Sequence, residues 1–190
     1  MMKRSLMIAT GLAFAAGYLV YNAADVLAQQ PQGKPSLGER SGANSTLGIA
    51  PSTAEFVKDV ALSDMFEISS SKLATEKGDD PTKQFAQHML EDHGKTTEQL
   101  KGLMQTANIG TALPDSLDNS HRKKLDKLKS LKGGDFNKRY RTDQVDAHKT
   151  AVSLFERYAE SGDDPGLKKW AGETLPTLKS HLEMAQALPH

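Results

Sequence analysis

From Ser52 onward, apolar side chains recur every three or four residues in four long blocks, the spacing of helices that bury one face. The blocks predict helices from Ser52 to about Lys77, from about Pro81 to Ala107, from about Asp135 to Glu160, and from about Pro165 to Leu188. In the second block, Phe85, Met89, Thr96, Leu100, Leu103 and Ala107 fall on one stripe. Ser52-Thr53-Ala54-Glu55 has the form of a capping box, in which Ser52 and Glu55 satisfy each other's free amides at a helix start. A four-residue string occurs twice, Gly78-Asp79-Asp80-Pro81 and Gly162-Asp163-Asp164-Pro165. Each time Gly ends one helix, Asp caps the next and Pro occupies its first turn. Aligning Ala74 with Ala159 brings Phe85-Ala86 onto Trp170-Ala171, and Gly166 absorbs a one-residue difference. The chain therefore reads as two helical hairpins related by duplication.

About 27 residues separate the hairpins, with Leu113-Pro114, a short helical pattern from about Asn119 to Leu131, and the breaker Gly133-Gly134. Such a connection is far longer than an ordinary bundle loop and can travel a bundle of ~40 Å from end to end. The fold expected is all-α, a ferritin-like four-helix bundle of two hairpins joined by a crossover that carries a short helix. Leu62, Phe66 and Leu73 make a second apolar stripe on the first helix, to be covered by the crossover or, failing that, by a second copy of the chain. Pro176 interrupts the last helix, where it either bends the helix around the core or frees the Gly172 carbonyl for a site.

Upstream of Ser52 the pattern changes. Lys3 and Arg4, the apolar or small stretch Leu6 to Val20, and Val26-Leu27-Ala28 form an export signal with cleavage expected after Ala28, an uncleaved anchor being the alternative. Residues 29–51, rich in Gln, Pro, Gly and Ser, read as a disordered tether, and residues 52–190 as the folded domain. The expected address is outside the cytoplasm, periplasmic or envelope-associated. The chain has no Cys, so neither disulfides nor a lipid-bearing thiol enter the picture. Without residues 1–28 the net charge is about −1, which implies no bulk preference for nucleic acid.

Projecting each helix at 100° per residue places a short set of polar residues inside the apolar arcs. They are Asp64, Glu67 and Ser71 on the first helix, His93 with Asp92 at the edge on the second, Gln144 and His148 on the third, and His181 on the fourth. With the hairpin turns at opposite ends, Glu67, His93, His148 and His181 fall at one height. Imidazoles with a carboxylate suit a single Zn, Fe, Mn or Cu ion, with Asp64, Asp92 and Gln144 as auxiliary groups. The other reading is a polar layer whose members bond one another and fix helix register without metal. A dinuclear carboxylate centre requires Glu-x-x-His pairs, and here Glu91 and His93, like Asp146 and His148, stand two apart. His88 reads as a solvated neighbour of Asp92 on the flank of its helix.

From Arg122 to Arg141 there are nine Lys or Arg residues and two acids, either a solvated crossover or a patch for anionic envelope polymers. No phosphate loop, nucleophile elbow or zincin helix is present.

Phe56-Val57, Glu67 followed by Leu73-Ala74, Phe85-Ala86 with Met89 and Asp92-His93, Leu113-Pro114, Tyr140 with His148, and Leu175-Pro176 with His181-Leu182 form a joint pattern. Together they resemble a bacterial family of exported ferritin-like proteins of unknown function, often labelled predicted outer membrane protein. The resemblance spans about residues 53–188 and implies a four-helix fold and an envelope location. The outer-membrane label sits poorly with a chain that has neither barrel strands nor a lipid-accepting Cys. The leading functional expectation is a non-catalytic envelope protein acting through binding or stress protection. The alternatives are a mononuclear metal-binding or redox protein and a peripheral binder of anionic polymers.

Overall fold

A computed structural model describes residues 48–189. The proposed signal and most of the tether lie outside the described residues, as does His190. Five helices and no strand make up the described part: α1 Thr53–Lys77, α2 Asp80–Thr106, α3 Asn119–Ser130, α4 Gly133–Ser161 and α5 Pro165–Ala187. The all-α class and the element order follow the hydrophobic periodicity, with boundaries displaced by a residue or two where helix ends always blur.

The caps form as their chemistry dictates. Ser52 Oγ accepts from Glu55 N at 3.4 Å while Glu55 Oε2 accepts from Ser52 N at 2.9 Å. Asp79 caps α2 and Asp164 caps α5, so the two copies of the repeated string use different aspartates. That shift is the one-residue difference carried by Gly166. The glycines differ from expectation: Gly78 has φ −71° and Gly162 φ −60°, so neither is left-handed. They are required for closeness instead. A Cβ on Gly78 would lie 2.7 Å from Ala74 O and Thr82 Cγ2, and one on Gly162 would lie 2.6 Å from Tyr158 Cε1.

Contacts between helices establish the wiring. At one end Asp79 N donates to Asn137 Oδ1 near the start of α4, and Lys77 Nζ donates to the Lys129 and Leu131 carbonyls. At the other end Thr53 Oγ1 bonds Tyr158 Oη at 2.6 Å and also Asp163 in the α4–α5 turn. The two hairpin turns therefore lie at opposite ends, and the α2–α4 connection crosses the length of the bundle. α1 packs on α2, α3 and α4, and α5 packs on α4 and α2.

The crossover helix covers the second stripe of α1. Phe66 is buried against His121 and beneath Lys124, and Leu73 joins the cluster that contains Leu128. Pro176 is exposed, and so is Gly172 one turn earlier, so the carbonyl it frees lies on the solvent side of α5. Two apolar clusters result. One gathers Phe56, Leu100, Phe155, Tyr158 and Trp170, the other Phe66, Phe85, Met89, Phe136 and Tyr140. Alignment partners of the duplication thus sit at opposite ends, Phe85 in one cluster and Trp170 in the other. Between the clusters lies the polar layer.

Candidate metal centre

Each of α2, α4 and α5 directs one imidazole into that layer. His93, His148 and His181 are 4%, 1% and 2% exposed, and one ring nitrogen of each lies within 4.8 Å of the others. Their ring centroids are 5.4 to 5.7 Å apart. Packing brings them together because each helix is amphipathic and its His occupies the buried arc at the same height.

The hydrogen bonds on the far side of each ring decide which nitrogen faces its neighbours. His148 Nδ1 lies 2.9 Å from the Gln144 carbonyl, which can only accept, so this nitrogen carries the proton and Nε2 is left with a lone pair. His93 Nδ1 lies 2.8 Å from Asp64 Oδ1, whose other oxygen accepts from Thr97 Oγ1. His181 Nε2 lies 3.1 Å from Asp92 Oδ2. The remaining atoms, His93 Nε2, His148 Nε2 and His181 Nδ1, are buried and have no hydrogen-bond partner. Buried polar atoms are ordinarily satisfied, and here these three are not, nor are the two oxygens of Glu67 and Oε1 of Gln144. An imidazole held on one nitrogen by a carboxylate or carbonyl, with the other nitrogen free, has the arrangement of a metal-ligating histidine and its outer partner.

The three rings differ in their hold on protons. For His93, burial alone would favour the neutral ring, but the bond to Asp64 and the charges of Glu67 and Asp64 outweigh it and raise the pKa above 6.5. Burial lowers His148 to about 3 and His181 to about 4, with the charge of His93 adding to both, so these rings are neutral at pH 7. Asp92 is held below its ordinary value: burial opposes ionisation, and the contacts with His181 and His88 overcome it.

All four expected ligand residues are buried, but the carboxylate does not join the imidazoles. No oxygen of Glu67 belongs to the group of ligand atoms within 4.8 Å. Neither oxygen makes a hydrogen bond of ordinary length, although the amide of Gln144, which donates to Ser70 Oγ at 3.3 Å, lies close by. Burial lifts the Glu67 carboxyl to about 7, with His93 and Gln144 opposing. Equal height could not reveal this, because the side chain's direction within the layer depends on helix tilt. The auxiliary residues are all in place behind the rings: Asp64 on His93, Asp92 on His181, and Gln144 on His148 through its backbone carbonyl.

Two things escaped sequence reasoning. Asp143 is buried beside Arg139, 2.8 Å from Nε. His88 is half-exposed, as expected, yet it forms a second group with Asp92 and His181. The signal was available in the i,i+4 spacing of His88 and Asp92, which puts them on one face. Beside the imidazoles, a cavity of about 610 Å³ is lined by Asp64, His93, Val60, Leu154 and Leu178 and also by His121 of the crossover helix.

Helical packing and buried imidazoles define an all-α bundle with a three-nitrogen pocket, among the described residues. The chain belongs to the family described as Domain of unknown function (DUF4142), whose model matches residues 38–188. That description carries neither a ferritin-like nor an outer-membrane label. No curated protein matches significantly in sequence. Among solved structures the bundle is similar to CopM in the Cu(II)-bound form, at TM-score 0.61 and 14% identity over 73% of this chain and 95% of that one. CopM in the Cu(I)-bound form is similar at TM-score 0.59 and 14% identity, covering 72% and 94%. At such identity the likeness is one of fold. No described helix is long and apolar enough to cross a membrane.

Proposed function

We propose that this protein binds one transition-metal ion through His93 Nε2, His148 Nε2 and His181 Nδ1, with Cu²⁺ or Zn²⁺ the fitting class. The observation that carries the reading is three buried imidazoles with one ring nitrogen of each within 4.8 Å of the others, each ring keeping one buried nitrogen without a hydrogen-bond partner. A purely structural polar layer would turn these atoms toward hydrogen-bond partners, and these three have none. All-imidazole donors suit copper and zinc, and copper stands highest in the affinity order of divalent metals. The bundle's likeness to copper-bound CopM supports the same direction. Asp64 and Glu67 supply compensating negative charge, and three protein ligands leave a coordination position free for water or an exogenous ligand. Read with the export signal expected in residues 1–28, the setting is the cell envelope, where such a protein stores, carries or sequesters metal.

The test uses tag-free protein. Titration with Cu²⁺ or Zn²⁺ should saturate near one equivalent and raise the melting temperature, by the equivalent of about 2.7 kcal/mol at a hundredfold excess over Kd. His93→Ala and His148→Ala should each abolish stoichiometric binding. Failure of both metals to bind or to stabilise the wild-type protein would sink the reading.

A further inference from the structure

His181 belongs to two groups of ligand atoms at once. Its Nδ1 is buried without a hydrogen-bond partner beside the other two imidazoles, while its Nε2 lies 3.1 Å from Asp92 Oδ2, which His88 Nε2 meets at 3.4 Å. The His88 and His181 rings stand edge to face with centroids 5.4 Å apart. The His88 side chain is 49% exposed and Asp92 21%, so this second group opens to solvent where the first does not. One imidazole therefore forms the wall between an outer and an inner ligand set.

We propose that His88, Asp92 and His181 Nε2 form a surface loading site that captures a divalent metal and passes it to the buried trio through His181. The proposal rests on the metal-binding reading above. Its chemistry follows from the tautomers of one ring. A neutral imidazole has one N–H and one lone pair, so it presents Nδ1 to the interior or Nε2 to the exterior, and not both. Metal at the outer site places the proton on Nδ1, which then points into the buried pocket and removes one of its three ligands. Metal at the inner site returns the proton to Nε2, where it is donated to Asp92, the bond the structure contains. No proton is lost from the ring in the exchange, and the two sites exclude each other. Simultaneous occupation would require an imidazolate, with a second proton removed.

The outer donors match the task of capture. Asp92 supplies an anionic oxygen that also meets Lys95 Nζ at 3.4 Å through its other oxygen, and His88 supplies a mobile, solvated imidazole. Two imidazoles and one carboxylate hold a divalent ion without enclosing it. The competing route runs through the cavity that His93 shares with His121 on the opposite side of the layer.

The experiment is stopped-flow mixing of tag-free, metal-free protein with Cu²⁺ or Zn²⁺, comparing wild type, His88→Ala, His88→Gln and His121→Ala, with equilibrium stoichiometry measured on each. The expected result is that both His88 variants still bind one equivalent but load several-fold more slowly, while His121→Ala loads at the wild-type rate. Unchanged loading in the His88 variants, or slowing in His121→Ala alone, overturns the proposal and leaves the buried site standing. Two equivalents bound together, with the spectrum of an imidazolate-bridged pair, would also overturn it. Absence of any binding to wild type would instead remove the metal-binding reading on which it rests.

Discussion

Replacing Glu67 by Gln should stabilise the metal-free protein at neutral pH and leave it nearly unchanged in mild acid. Burial raises the Glu67 carboxyl from 4.5 to about 7. In the unfolded chain the group ionises near 4.5, whereas in the folded chain it keeps its proton to about 7. The folded state thus binds more protons across pH 4.5 to 7, and stability from this group is lost as pH rises through that window. A shift of about 2.5 units at ~1.4 kcal/mol each gives a loss of about 3 kcal/mol by pH 7.5. Gln has the same shape and does not ionise. The gain should therefore appear at pH 7.5 and vanish at pH 4.5, amounting to roughly 6–12 °C in melting temperature for a domain of about 150 residues. Thermal melts in chelator at the two pH values measure it. Protonation of His148 and His181 destabilises both proteins in acid and cancels in the difference. An equal offset at both pH values, or none at pH 7.5, would show that Glu67 is not the buried acid described.

Metal binding near pH 6.5 should release between about one and two protons, from His93 and Glu67, because His148 and His181 are already neutral there. Calorimetry in buffers of different ionisation enthalpy counts them; release of about three would refute the assignment, and Glu67→Gln should lower the count. Gly78→Ala should cost about 1–3 kcal/mol because its Cβ would strike Ala74 O and Thr82 at 2.7 Å. Gly102→Ala, which meets nothing within 4 Å, should be neutral or gain up to about 1 kcal/mol, and urea titration of both variants measures the two effects. Phe66→Ala should cost about 3–5 kcal/mol and expose residues 107–132 to protease, since Phe66 seats the crossover helix. Retained protection in that segment would mean that α3 is held by other contacts.

The helices were legible because caps and periodicity are local. Ser52 with Glu55, and the aspartates before Pro81 and Pro165, act on amides three residues away, so their effect does not wait for the tertiary fold. The crossover was legible from length alone. The site was legible at the level of height, since rise per residue is nearly constant, and this placed His93, His148 and His181 in one layer. It was not legible at the level of direction. Glu67 lies outside the imidazole group, and Gln144 serves through its carbonyl rather than its side chain, details set by side-chain rotamers and helix tilt. His88 fell on the flank of its helix and was read as solvent-facing, which its exposure bears out, but its membership of a second group depends on where α5 places His181.

The antiparallel wiring of the two hairpins accounts for a site at this height, and the unlike residues at matching positions make it lopsided. Two hairpins wired with their turns at opposite ends stack two apolar clusters along one axis, and the seam between them is where neither set of large side chains reaches. Polar side chains collect there at least packing cost. Sequence equivalence would pair the position of His93 with Leu178 and that of His181 with Thr96. Neither partner is an imidazole, so the pocket takes one ring from the first hairpin and two from the second and is not a symmetric pair. That asymmetry leaves His181 with the buried trio on one side and the solvated His88–Asp92 pair on the other. A symmetric layer would close on itself, whereas this one has an inside and an outside joined by a single ring.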